Sequence, residues 1–221
     1  RYRLVGSEMC IRDRNKLVLA GAGSGKTRVL TFRVAKLIEH FNVRPSDILA
    51  LTFTNKASRE MKERIESLLR ISSQGLWFGT FHGICRRILK IHWKEAELSE
   101  RFTILDSQDQ LRLVKRIIKT NNLDEKLYDA KSIQSFINRK KDNGIRSNQT
   151  SEKDDEVYIL IYKEYESILK QTFSVDFADL ILKTYELLLN HENILSYYAK
   201  RFKHIMVCLL YTSPSPRDGN V

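Results

Sequence analysis

The chain has 221 residues, of which 42% are hydrophobic and 29% charged, with three prolines and a formal net charge of +11. This composition fits a packed, helix-rich protein and argues against disorder and low complexity, and no apolar run approaches the roughly 20 residues that a membrane-spanning helix needs. The three cysteines, Cys10, Cys85 and Cys208, are too few and too scattered for a disulfide framework or a closed metal site, so a globular protein of the reducing cytoplasm is the expectation. The positive charge suits a polyanionic partner and equally suits a solvated surface.

Residues 1–14 show neither a signal-peptide core nor an amphipathic period. From residue 15 the pattern becomes regular. A short apolar run at residues 17–20 leads into the glycine-rich AGAGSGKT and then a helix with Leu30, Val34, Leu37 and Phe41 at helical spacing. The apolar run at 47–53 (DILALTF) predicts a second strand, and residues 55–69 a second helix with Met61, Ile65 and Leu68 on one face. Residues 75–80 give a third strand, after which Phe81, Ile84, Ile88 and Ile91 mark a third helix. Strands alternating with helices predict an α/β fold with a parallel sheet covered on both faces.

Beyond about residue 102 the pattern is helical, with helices predicted over 107–120, 130–141, 156–173 and 177–189 and no strand between them. Asp106 and Asp176 are suited to cap the helices that follow them. The polar stretch 142–155 predicts an exposed loop, and HIMV at 204–207 a returning core strand. The expected organisation is therefore an α/β domain over 15–103 and 176–207 and an inserted helical subdomain over 104–175. The segments 1–14 and 208–221 are set aside as foreign or disordered; without them 33 basic residues still face 24 acidic ones, after five of the 38 and three of the 27 are removed.

The segment from Ala20 to Thr27 has the spacing of a Walker A phosphate loop, with alanine at its first position. Small residues at Gly21, Ala22, Gly23 and Gly25, with Ser24 between, let consecutive amides face phosphate oxygens at a helix N-terminus. In that layout Lys26 reaches the β- and γ-phosphates of ATP and the Thr27 hydroxyl ligates Mg²⁺. Kinases, GTPases, transporters and motors share such a loop, so it does not fix the work done.

Further motifs carry a resemblance. LVLAGAGSGKTRVL, ILALTFTNKASREMKERI, GTFHGICRRIL, FTILDSQDQ, VDFADLILKTYELL and RFKHIMV resemble, in order, segments of the superfamily 1 DNA helicases of the UvrD/Rep/PcrA type. The resemblance implies a RecA-like P-loop NTPase fold, ATP-driven 3′ to 5′ movement on single-stranded DNA, and DNA contacts at Phe53, Thr54, Asn55, Thr80 and His82. Phe53 taken alone reads as a core residue; in the family an aromatic here lines a base pocket. Arg28 is either beside the nucleotide base or ribose or a plain exposed helical arginine, and the basic residues Lys56, Arg59, Lys62 and Arg64 suit a solvated face.

The sequence also departs from the family. The glutamine-containing segment that reads adenine does not precede Asn15, and Cys208 and Leu209 stand where the family has the Asp-Glu pair needed for hydrolysis. VGSEMCIRDR and CLLYTSPSPRD resemble translated sequencing-adapter sequence, so a truncated helicase fragment, binding ATP without hydrolysing it, is the expectation. The alternative is a nucleotide-gated DNA-binding module without motor activity. A small-molecule kinase would need an acceptor pocket that no segment supplies.

Overall fold

The computed structural model describes residues 25–69, 75–151 and 154–208. The strand expected at 17–20 and the terminal segments expected to be foreign lie outside them, apart from Cys208. Helix α1 (Lys26–Glu39) leads through a 3-10 turn to strand β1 (Ile48–Thr52), followed by α2 (Asn55–Leu69), β2 (Trp77–Thr80) and α3 (Phe81–Ile91). A two-residue strand β3 (Thr103–Ile104) opens a helical run: α4 (Ser107–Thr120), α5 (Ala130–Asp142) and α6 (Glu156–Gln171). Strand β4 (Ser174–Val175), α7 (Phe177–Asn190), α8 (Glu192–Arg201) and β5 (His204–Cys208) complete the order.

The main sheet has the order β2-β1-β5, and both pairings are parallel. All five residues of β1 are buried, because helices cover both of its faces. Ile48 and Ala50 pack with Val34 and Leu37 of α1 and Met61 and Ile65 of α2. Leu49 and Leu51 point the other way, into a core with Ile84 and Ile88 of α3, Leu180 of α7 and Tyr198 of α8.

Helices α4, α5 and α6 build a separate apolar core around Val114, Ile117, Ile133, Phe136, Ile161 and Tyr162. The chain enters and leaves this helical block through β3 and β4, which pair in parallel. The sequence predicts no strand there, since two residues are too short to show a period. A second difference is α8, whose buried Ile194 and Tyr198 lie one helical turn apart but follow directly on α7. A third is β5, which is not the core strand expected: Ile205 and Val207 are exposed, and the strand runs one residue past the expected boundary to buried Cys208 opposite Thr52.

The stretch 142–155 is not simply an exposed loop. It contains a 3-10 turn, Ser147–Gln149, with Ser147 buried, and it delivers Arg146 to a seam between the two cores. Arg146 donates to Asp179 Oδ1 at 2.7 Å, to Glu166 Oε1 at 3.1 Å and through two nitrogens to both Glu186 oxygens at 2.6 Å. Beside it Lys141, whose side chain is 0% exposed, places Nζ 2.7 Å from Asp176 Oδ2 and 2.6 Å from Asp179 Oδ2. The polar composition of the stretch hid this role, because the partners lie 20 to 40 residues away in sequence.

Burial alone raises the Asp179 carboxyl, but Lys141 and Arg146 outweigh it and hold it below its ordinary value of 3.8. A depressed carboxylate stabilises the fold fully above its unfolded value and loses that contribution as pH falls through its folded value. Asp179→Asn, which leaves buried Lys141 and half-buried Arg146 short of a carboxylate, is expected to cost about 3 kcal/mol at pH 7. In urea titrations the gap between the two chains should close as pH falls below 3.8; a gap independent of pH would contradict this account of the seam.

Candidate functional site

The parallel register brings the ends of three strands to one edge, with Thr52 opposite Thr80 on β2 and opposite Cys208 on β5. In open parallel sheets ligands bind outside the carboxyl ends of the strands. Here each strand end passes directly into the start of a helix or stands beside one.

At the end of β1, buried Thr52 donates its hydroxyl to the Thr54 carbonyl at 3.0 Å. Thr54 caps α2, its Oγ1 accepting from the Ala57 amide at 3.1 Å. This bend turns Phe53 outward, 69% exposed, so the core reading of Phe53 does not hold. Thr54 and Asn55 are exposed beside it. At the end of β2, Thr80 repeats the device: its Oγ1 accepts from the Gly83 amide at 3.2 Å and caps α3.

His82 is exposed on the first turn of α3. Its ring meets that of Phe177 edge to face, with centroids 5.9 Å apart. Phe177, 48% exposed, was not singled out from the sequence. The signal available was its place directly after the capping Asp176, where an apolar side chain at the start of a helix is turned toward neighbouring helix α3 rather than into the core. All five residues expected to contact DNA therefore stand on one edge.

On the neighbouring side, Gly25 precedes α1 with φ of +84°, in the left-handed region that favours glycine. Ala20, Gly21, Ala22, Gly23 and Ser24 lie outside the described residues, as does the side chain of Lys26, the first residue of α1. Among the described residues no side chain caps the N-terminus of α1, and its first turn has no acidic residue. By contrast α3, α4, α5, α6 and α7 are capped by Thr80, Asp106, Asp129, Asp155 and Asp176. A helix start whose first-turn amides and dipole are left to a ligand suits a phosphate group.

Thr27 sits on that first turn, partly buried, with its Oγ1 3.8 Å from Cys208 Sγ. The α1 start and the β5 end are therefore in contact. Thr27 offers a hydroxyl oxygen, the donor type a hard cation such as Mg²⁺ takes, whereas the Cys208 thiol is a soft donor that such a cation avoids. Arg28 is exposed and stacks toward Phe32, its guanidinium carbon 5.6 Å from the ring centroid, over a cleft shared with Glu63, Arg64 and Leu68 of α2. The basic residues Lys56, Arg59, Lys62 and Arg64 of α2 are solvent-exposed.

Comparison with known proteins places this geometry in context. The model of the UvrD/REP helicase N-terminal domain matches residues 7–207, a span that begins inside the N-terminal segment set aside above. The chain is 46% identical to DNA helicase II of Haemophilus influenzae over 200 residues, covering 87% of this chain and 28% of that protein. It is 46% identical to DNA helicase II of Escherichia coli over 196 residues, at 87% and 27% coverage. Against the ATP-dependent DNA helicase PcrA of Bacillus subtilis it is 42% identical over 199 residues, at 88% and 27%. The chain thus spans little more than a quarter of the length of these relatives. With the family model matching most of its length, the chain belongs to the UvrD/Rep family of DNA helicases.

Proposed function

We propose that this chain is the ATP-binding and single-strand-gripping part of an ATP-dependent 3′ to 5′ DNA helicase that acts in the cytoplasm in DNA repair or replication. The observation that supports it best is the sharing of one sheet edge. The start of α1 lies against the end of β5, with exposed Phe53 to Asn55 at the end of the neighbouring strand β1 and half-buried Thr80 and exposed His82 at the end of β2 beyond it. A nucleotide and a DNA strand held there would touch neighbouring strand ends, so that a change at one is felt at the other.

ATP with Mg²⁺ would supply the phosphoanhydride bond whose cleavage drives movement. The chain's own contributions are separate from that chemistry. The first-turn amides of α1 receive phosphate, Lys26 adds a cation, and the Thr27 hydroxyl holds the metal. Phe53 offers a ring face to a base, with Phe177 and His82 forming a second aromatic step, while Thr54, Asn55 and Thr80 offer polar groups to the backbone. Stacking of this kind tolerates any sequence, as a translocating protein requires. In this reading the helical block over 104–175 is an insertion into the motor domain that leaves the edge open.

The 221-residue chain is further proposed to bind ATP without turning it over. Phosphoryl transfer depends on positioned charge, and Cys208 and Leu209 supply neither a metal-holding carboxylate nor a water-orienting one. Titration with a fluorescent ATP analogue should show binding that Lys26→Ala abolishes; equal affinity in the variant would remove Lys26 from the site. Phosphate release with Mg²⁺ and single-stranded DNA should match that of Lys26→Ala, and DNA-stimulated turnover that disappears in the variant would contradict the proposal. Phe53→Ala should weaken binding of an oligothymidylate by about tenfold, the size of one lost base stack. Unchanged anisotropy titrations would take Phe53 out of the DNA face.

A further inference from the structure

The seam between the helical block and the sheet domain converges on one carboxylate. Asp176 Oδ1 accepts from the Asp179 amide at 2.8 Å and so caps α7. Its Oδ2 accepts from Lys141 Nζ at 2.7 Å, from the Tyr165 hydroxyl at 2.8 Å and from Gln110 Nε2 at 3.4 Å. Those donors come from α5, α6 and α4, one from each helix of the block. Lys141 also binds Asp179 Oδ2 at 2.6 Å, across the first turn of α7. Every group in this set is buried: Lys141, Gln110, Asp176 and Asp179 are each no more than 3% exposed and Tyr165 is 0%.

Ionic sets of this kind are weak adhesives. Two charges taken out of water recover little net energy, and well-packed apolar side chains in their place are often as stable or more so. What such a set does supply is direction, since a lysine between two carboxylates and a phenol permits few arrangements. The residue whose direction depends on it is the next one along the chain. Phe177 follows Asp176, and its exposed ring stands against that of His82 on α3.

Building on the DNA-binding reading above, we propose that Lys141 is a positioning residue for the DNA face: by bridging Asp176 and Asp179 it fixes the first turn of α7, and with it the Phe177 ring against His82. The helical block then serves the motor domain as a rigid strut for its DNA edge. Lys141 itself touches no nucleotide and no DNA. Its effect passes through the capping carboxylate.

The test uses the 221-residue chain, its Lys141→Met variant and Asp179→Asn, which keeps an oxygen for Lys141, with a urea titration showing that each variant is folded under the conditions of the assay. Proton NMR should show a ring-to-ring contact between His82 and Phe177 that weakens or disappears in both variants. The contact between Phe136 and Tyr158, 5.4 Å apart within the block, should remain. Affinity for an oligothymidylate should fall about tenfold while affinity for a fluorescent ATP analogue stays within about twofold, because one stacking step is lost and the α1 end is untouched. Loss of the Phe136 contact in both variants, or equal losses of nucleotide and DNA affinity, would make Lys141 a stability residue only and overturn the proposal. An unaltered His82 to Phe177 contact, or unaltered DNA affinity in a chain whose Phe53→Ala variant binds weakly, would overturn it as well. Failure of the unsubstituted chain to bind DNA at all would instead overturn the DNA-binding reading on which the proposal rests.

Discussion

Parallel pairing of β1 with β2 and β5 is the constraint from which the rest of the site follows. Parallel strands run in one direction, so their carboxyl ends emerge together and the polar groups of the turns that follow collect along one edge. Thr80, the last residue of β2, and Thr54, two residues beyond the end of β1, each cap the helix that begins there. Each cap also holds the start of its helix where the exposed neighbours, Phe53 on one and His82 on the other, face solvent. An antiparallel partner would have put one of these turns at the opposite end of the sheet. The same register carries Cys208 to within reach of Thr27, and so joins the phosphate-loop helix to the edge.

Capping separates the helices of this chain by task. A helix that has a side chain on its first amides is satisfied within the fold, as α4, α5 and α6 are through Asp106, Asp129 and Asp155. Helix α1 has a left-handed glycine at that place and, among the described residues, no capping side chain. Helix α7 is the intermediate case. It is capped, but by an aspartate whose second oxygen is held by the helical block. The two apolar cores share no residue, and the ionic seam lies between them.

Much of this was legible in the sequence, and the parts that were not have physical reasons. The helix at Asn55–Leu69 appeared at its observed limits because Met61 and Ile65 repeat at helical spacing between a strand and a polar break. The caps at Asp106 and Asp176 could be read because capping is local, involving amides two or three residues on. Exposure of Phe53 could not be read locally, since an aromatic after an apolar run is normally core; family resemblance supplied the outward reading, and the Thr52 to Thr54 bend gives its cause. Arg146 and Lys141 remained hidden because their partners are remote in sequence and basic residues near glycine and asparagine look solvated. Helix α8 does not show in the sequence because a single residue, His191, is both the C-cap of α7 and the N-cap of α8. The phosphate loop was the reverse case: it was plain from spacing, while only its last residues fall among those the structure describes.

The central claim is that nucleotide and single-stranded DNA occupy adjoining parts of one sheet edge. Amide hydrogen exchange of the chain with an ATP analogue, with an oligothymidylate and with both tests it most directly. The account predicts that the analogue slows exchange at the first turn of α1, and that the oligonucleotide slows it at residues 53–57 and 80–83, with the amides of α4 to α6 unaffected. Protection by the oligonucleotide confined to the helical block, with the two strand ends unprotected, would contradict it.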